Sequence, residues 1–144
     1  MEYLDDCLRI LDRDEALALA TCAEGEPNVR IVNFVRDGDK TGVLYFATFP
    51  GNQKVAEFER NDRVAFTTIP KEGTEHVRAQ GAQVVKSSLS MADIGDAFVA
   101  KIPGYAEMID QAGDALLLYE LRCDRVSVIL NPVRNGEIEL RAEA

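Results

Sequence analysis

One stretch constrains this chain more than any other: Val43 to Phe66, VLYFATFPGNQKVAEFERNDRVAF. Val43 to Phe49 has the β-branched and aromatic composition of a pleated strand, and Pro50-Gly51 ends it. From Asn52 the period changes. Val55 and Phe58, three apart, share one side of a helical turn, and Asn61-Asp62 stops that helix before a second strand, Arg63 to Ile69. This order places Thr48 at a strand end, Gly51 and Asn52 where backbone N–H groups are free, and Lys54 in the first helical turn. Free amides, the positive end of a helix dipole, a hydroxyl and an ammonium are the parts of a phosphate site. An ordinary strand–helix–strand connection with a surface lysine has the same local pattern. The stretch is neither a Walker loop nor a G-x-G-x-x-G motif.

The flanking segments supply the rest of a sheet. Ala16 to Ala23 is a small-residue strand, Glu24-Gly25-Glu26-Pro27 a turn, and Asn28 to Arg36 a strand with Val29, Ile31 and Val35 on one face and Arg30, Val32 and Phe34 on the other. Asp37 to Gly42 forms a hairpin loop into Val43. Glu75 to Lys86 is a long strand with His76, Arg78 and Gln80 on one face, and Gly81 marks a bulge or a close backbone approach. Ala115 to Leu130 reads as a final long strand, and Glu137 to Leu140 as a weak one in the tail. Helical spacing occurs in three further places: Tyr3 to Leu11, with Asp5 and Arg9 paired on its outer face; Ser90 to Ile102; and Tyr105 to Ile109, past the break at Pro103-Gly104. About six antiparallel strands with inserted helices make an α+β domain that closes on itself to remove its edges.

Composition narrows the function classes. At 144 residues the chain is expected to be one domain with a core of its own. A formal charge of -9 with no Lys/Arg cluster argues against nucleic-acid binding. Cys7, Cys22 and Cys123 are odd in number and far apart, which argues against a disulfide framework or a structural metal site and for reduced thiols in a cytoplasmic protein. The acidic, amphipathic N-terminal segment lacks the features of a signal peptide, and no apolar run approaches membrane-spanning length. No Ser/His/Asp, metal-ligand or paired-carboxylate constellation stands out, so no catalytic side chain is assigned.

With that order of elements, the sequence resembles the FMN-binding split-barrel family, the pyridoxamine 5′-phosphate oxidase-like proteins, over about Ala16 to Ile129. The residues that carry the resemblance are Pro27-Asn28-Val29-Arg30-Ile31-Val32, then Leu44-Tyr45-Phe46-Ala47-Thr48, then Gln53-Lys54 and Asn61-Asp62-Arg63-Val64. The insertion with Ile102-Pro103-Gly104-Tyr105 is closer to the small bacterial members than to the vitamin-metabolising oxidases. The resemblance implies a six-stranded antiparallel split β-barrel with flanking helices over residues 1–144. It implies that Arg30, Thr48, Asn52, Gln53 and Lys54 hold the FMN phosphate, that Ile31, Val32 and Asn33 run along the flavin ring, and that Ala47 touches it with Thr48. His76 stands where a residue of the second subunit meets the flavin, so a homodimer with the cofactor at its interface is implied as well. The implied activity is a flavin-dependent oxidoreductase acting on a small molecule through flavin N5, with a nicotinamide as electron donor. The same barrel could instead store, sense or sequester a flavin, a deazaflavin or haem without catalysis, or could be a cofactor-free structural dimer.

Two departures limit the resemblance. Gln53 stands where the oxidases carry an arginine, which removes one positive charge from the phosphate clamp. The chain has no Trp, and its tail, Asn135-Gly136-Glu137-Ile138-Glu139-Leu140-Arg141, lacks the substrate-binding pattern of the oxidases. Oxidation of pyridoxamine phosphate itself is not expected.

Overall fold

The strand signals resolve into one curled antiparallel sheet. The computed structural model describes residues 2–36 and 38–141, so Met1, Asp37 of the expected hairpin loop and the last three residues of the tail lie outside it. Nine strands follow in chain order: β1 (Ala16–Ala23), β2 (Glu26–Asn33), β3 (Val35–Arg36), β4 (Val43–Thr48), β5 (Arg63–Thr68), β6 (His76–Lys86), β7 (Leu117–Arg122), β8 (Arg125–Ile129) and β9 (Asn135–Glu139). Their order in the sheet is β2-β1-β5-β6-β7-β4-β3, with β8 between β6 and β9. The two end strands, β2 and β3, are separated in the chain only by Phe34, so the sheet curls until its ends meet. This is the α+β split barrel that the sequence led us to expect.

Among the described residues nine strands replace six, because two expected strands are broken and the weak tail strand pairs into the sheet. Asn28 to Arg36 breaks at Phe34, whose N–H donates to the Glu15 carbonyl at 3.3 Å. Ala115 to Leu130 breaks at Cys123-Asp124, and that break creates the split. β7 pairs with the Gln83–Lys86 half of β6 and with β4, whereas β8 pairs with the His76–Arg78 half and with β9. Between the two halves Gly81 sits at φ 67, and the register against β5 shifts there. The expected bulge is present, at a backbone angle that favours glycine. A two-residue turn with positive φ at both Glu24 and Gly25 joins β1 to β2, so Pro27 already lies in the edge strand, where its missing N–H costs nothing.

Among the described residues, four α-helices accompany the barrel: α1 (Leu4–Arg13), α2 (Gln53–Arg60), α3 (Met91–Lys101) and α4 (Tyr105–Ala112). In α1, Cys7, Ile10 and Leu11 are buried, and Arg9 pairs with Asp6 and with Glu75 of the barrel rather than with Asp5. A capping box of Ser90 and Asp93 starts α3. Leu17, Leu19, Phe46, Phe66, Val77 and Leu121 fill the barrel. Val43, Tyr45 and Leu118 face outward from β4 and β7 and are covered by Phe98 of α3, Ile102 just past its end and Tyr105 of α4. Among the described residues, no helix covers the outer face of β2 in the same way: Val29 and Ile31 are 63% and 67% exposed. Lys101 straps the helical insertion to the barrel. Its ammonium donates to the Leu11 carbonyl at 2.8 Å and the Phe34 carbonyl at 2.9 Å, 3.8 Å from the centre of the Phe34 ring. Among the described residues, no helix is long and apolar enough to cross a membrane.

The thiols of Cys7 and Cys123 are both buried, and burial pushes each up to about 12 from an ordinary value of 9.0. In the unfolded chain they ionise near the ordinary value, so the stability they contribute is complete below pH 9 and is lost as pH climbs toward 12. At pH 10 the loss should be about 1.4 kcal/mol per thiol, one unit above the unfolded value. Lys101 acts in the opposite sense, because burial lowers its ammonium to about 8 and stability therefore rises between pH 8 and its unfolded value. Comparing the parent with C7A/C123A cancels the lysine contribution. Denaturant unfolding at pH 7 and pH 10 should show the parent losing about 3 kcal/mol more than the variant; equal losses would mean that the thiols are not dry.

Candidate active site

The site begins where β4 ends. Thr48 is buried and alternates with Ala47, so it shares the face of Phe46 and points to the side that α2 covers, whereas Ala47 points toward α3 and α4. After Pro50 and Gly51, Asn52 caps α2 with its side chain, accepting from the Lys54 N–H at 3.1 Å. The cap therefore occupies the Lys54 N–H in the first turn of the helix. Phe58 anchors the helix from below, 5.9 Å from the Phe46 ring and 5.5 Å from that of Tyr119.

Seated this way, α2 lies against the hairpin of β1 and β2 and meets the inward-pointing polar residues of both strands. Arg30 donates from Nη2 to Glu57 Oε1 at 2.5 Å and from Nη1 to the Thr21 hydroxyl at 2.8 Å. Thr21 in turn donates to Glu57 at 2.8 Å, and Asn28 and Gln53 donate to its other oxygen. These hydrogen bonds, Thr21 first and then Asn28 and Arg30, hold the Glu57 carboxyl down at about 2 against a smaller opposing effect of burial. Glu57 is the residue that sequence reading missed. Its only local signal is its place one turn after Gln53 and Lys54, on the same side of the helix.

Lys54 is the counterweight. It is half-buried and makes no ion pair among the described residues. Burial, and after it the nearby Arg30 guanidinium, push its ammonium below the ordinary value. Two cations held together in a partly dry place are relieved by an incoming anion, so the residues fit a phosphate. That fit is narrower than the sequence implied, because Glu57 already engages Arg30. The expected residues therefore converge in part: Arg30 and Gln53 meet at Glu57, Lys54 lies near Arg30, Asn52 caps the helix and Thr48 is on the same side. Ile31 and Asn33 are exposed on the opposite face of β2, and Val32 is buried between them. His76 lies three strands from β2, about 14 Å at ~4.8 Å per strand, with Nδ1 against the Thr74 carbonyl at 2.8 Å. Among the described residues, no group of three or more His, Cys, Asp or Glu side chains could hold a metal.

The role of Glu57 makes a two-sided prediction. E57Q should lower stability at pH 7 by about 1.5–3 kcal/mol, the scale of hydrogen bonds to a charged group. The folded carboxyl titrates near 2, below its unfolded value, so its stabilisation is present above pH 4.5 and is lost as pH falls through about 2. The difference between E57Q and the parent should shrink over that window in acid unfolding curves. The same substitution frees Arg30, so phosphate-bearing ligands should bind E57Q more tightly, by about fivefold to tenfold.

No curated protein matches the sequence. Solved structures match closely in fold at low identity. A haem-binding protein from Mycobacterium smegmatis superposes with a TM-score of 0.76 at 14% identity over 96% of this chain and 58% of its own. ChuZ from Campylobacter jejuni gives 0.77 at 14% identity over 96% of this chain and 61% of its own. General Stress Protein 26 from Bacillus anthracis gives 0.73 at 14% identity, over 97% of this chain and its full length. The chain thus spans about three fifths of the first two proteins, and at these identities the likeness shows the fold. The sequence profile described as pyridoxamine 5′-phosphate oxidase-like matches residues 10–132, which takes in the whole barrel as far as β8. With its curled sheet and α2 seated at the β1–β2 hairpin, this chain belongs to the pyridoxamine 5′-phosphate oxidase-like family.

Proposed function

We propose that this protein binds FMN as a homodimer and acts as a flavin-dependent oxidoreductase on a small molecule. The observation that carries the reading is Lys54: a half-buried ammonium without an ion pair among the described residues, beside Arg30 and above the capped start of α2. Lys54 and Arg30 would hold the phosphate, with Asn52, Gln53 and Thr48 around it. Ile31, Val32, Asn33 and Ala47 would position the ring, and His76 would meet it from a second subunit. When bound, FMN supplies two-electron chemistry at its N5, which needs no nucleophile from the chain. The protein's own work is then to bind the phosphate, orient the ring and keep water from it.

Family membership, the Lys54–Arg30 pair and the inward alternation of Thr48 support this reading. The test is direct. Protein stripped of small molecules and titrated with FMN should quench flavin fluorescence at micromolar concentration. Absence of quenching at 100-fold higher concentration would overturn it. Bleaching of the complex by NADH or NADPH under anaerobic conditions would distinguish an enzyme from a carrier.

One observation favours a second reading, haem. His76 is the chain's single histidine, and its Nδ1 faces a carbonyl, which fixes the proton there and leaves the Nε2 lone pair free for an iron. The Mycobacterium smegmatis neighbour is itself a haem-binding protein. A Soret band on adding haemin, lost in H76A and accompanied by no flavin quenching, would select that reading instead.

A further inference from the structure

The anion site at α2 is one positive charge short of a phosphate. Arg30 and Lys54 supply two cations, Gln53 none, and Glu57 a carboxylate that already pairs with Arg30. Together these side chains carry a single net positive charge. A phosphate monoester carries about −1.5 to −2 near neutral pH, because its second ionisation lies at about pH 6.

The geometry prevents Glu57 from stepping aside. The side chains of Glu57 and Arg30 are 13% and 18% exposed. Thr21 of β1 donates to Glu57 Oε1 at 2.8 Å, and Asn28 of β2 and Gln53 of α2 donate to Oε2 at 3.2 and 3.3 Å. All three donors are neutral, so they hold the carboxylate in place when Arg30 turns an edge of its guanidinium toward an incoming anion. Arg30 itself stays tied to the Thr21 hydroxyl through Nη1 at 2.8 Å. A phosphate that reaches Arg30 therefore stands beside the Glu57 carboxylate. Among the described residues, Arg30 is the charged group that β2 turns to Glu57, and β1 turns only the neutral Thr21 to it. Along α2, Lys54 lies one turn before Glu57 and Arg60 one turn after, and the Arg60 guanidinium is taken by Glu24 at 3.1 Å. Glu26, at the start of β2, is exposed. Two acidic groups that share one cation in a mostly enclosed place do not both stay fully ionised.

We infer that Glu57 couples anion binding at this site to the uptake of one proton, shared between its carboxyl and the bound phosphate. The inference rests on the FMN reading for the identity of the cofactor, and on the packing of α2 against the hairpin for the proton. No bond to phosphorus forms or breaks: a proton from solvent joins the complex on binding and returns on release. The site loads as pH falls through neutrality and empties as it rises. A phosphodiester, which carries one charge and has no second ionisation, needs no proton to bind.

Two measurements separate the proton from the flavin. Fluorescence titration with FMN should show the parent binding about fivefold to tenfold more tightly at pH 6.5 than at pH 7.5, the slope of one proton, and E57Q changing by less than threefold. Lys54, Arg60 and His76 are all kept in E57Q, so their contributions and that of the remaining acidic residues cancel in the comparison. Calorimetry of the parent with phenyl phosphate at pH 7.5, in two buffers of different ionisation heat, should count about one proton taken up per site. With methyl phenyl phosphate it should count none. This second measurement needs no variant to fold. FMN binding of equal strength at the two pH values would overturn the proton linkage and leave the FMN reading standing. Proton uptake with phenyl phosphate but no flavin quenching would reject the flavin and support the linkage. An equal pH slope in E57Q would put the proton on another group and overturn the role of Glu57. Binding of neither FMN nor 10 mM phenyl phosphate would overturn both.

Discussion

K54E should bind FMN at least 100-fold more weakly than the parent while keeping its Tm within a few degrees. Lys54 is the clean position for such a test because its ammonium makes no ion pair among the described residues and only the like charge of Arg30 bears on it. Replacement by glutamate orphans no carboxylate, and the cap is kept, since Asn52 accepts from the backbone N–H of residue 54. A charge-assisted contact contributes about 1.5–3 kcal/mol, and reversal adds repulsion of a dianion, so a loss of two decades, about 2.7 kcal/mol, is the smallest effect expected. Fluorescence titration reads it. Affinity within threefold of the parent would show that the phosphate is held elsewhere. Reversal at Arg30 lacks this clarity, because a glutamate there would face Glu57 across Thr21 and disturb folding and binding together.

F46A should cost about 3–5 kcal/mol, the range for removing a buried phenylalanine. Phe46 is fully buried, stacked on Tyr119 at 5.8 Å and edge-on to Phe58 at 5.9 Å. Its loss leaves a cavity where β4, β7 and α2 meet, so the damage has a direction: α2 loses its seat. Against a domain stability of 5–15 kcal/mol this is a large fraction. Denaturant unfolding should show a lower midpoint, and hydrogen exchange should rise first in α2. Protection lost instead in α3 and α4 would contradict the packing described, since those helices rest on the other face of β4.

How far the sequence could be read follows from what its signals encode. Local period located all four helices and both flanks of the Pro50–Asn52 turn, because apolar spacing and caps act within a few residues. The bulge at Gly81 was legible because a glycine inside a strand has few other uses. The breaks at Phe34 and at Cys123-Asp124 were not, since both runs remain apolar and alternating. They are imposed by partners far away in sequence, the Glu15 carbonyl in one case and the choice between β4 and β9 in the other. The same limit hid Glu57, whose four donors are Thr21, Asn28, Arg30 and Gln53. Three of them meet it only when α2 has folded over the hairpin. The resemblance assigned Arg30 to the phosphate; the structure pairs it with Glu57 and leaves the phosphate role to the binding experiments.

The turn at Glu24-Gly25 has a consequence for how this protein can change. β2 carries Asn28 and Arg30 on one face and Val29 and Ile31 on the other, so two surfaces with different chemistry are printed on alternate residues of one edge strand. Period two makes them interchangeable by a slip of one position. A single inserted residue after Gly25 would turn Arg30 outward and drive Ile31 against Glu57, exchanging both surfaces at once. Length variation at this hairpin should therefore be tolerated in steps of two, and a library of one- and two-residue insertions at Gly25 should separate into non-binders and binders by parity alone.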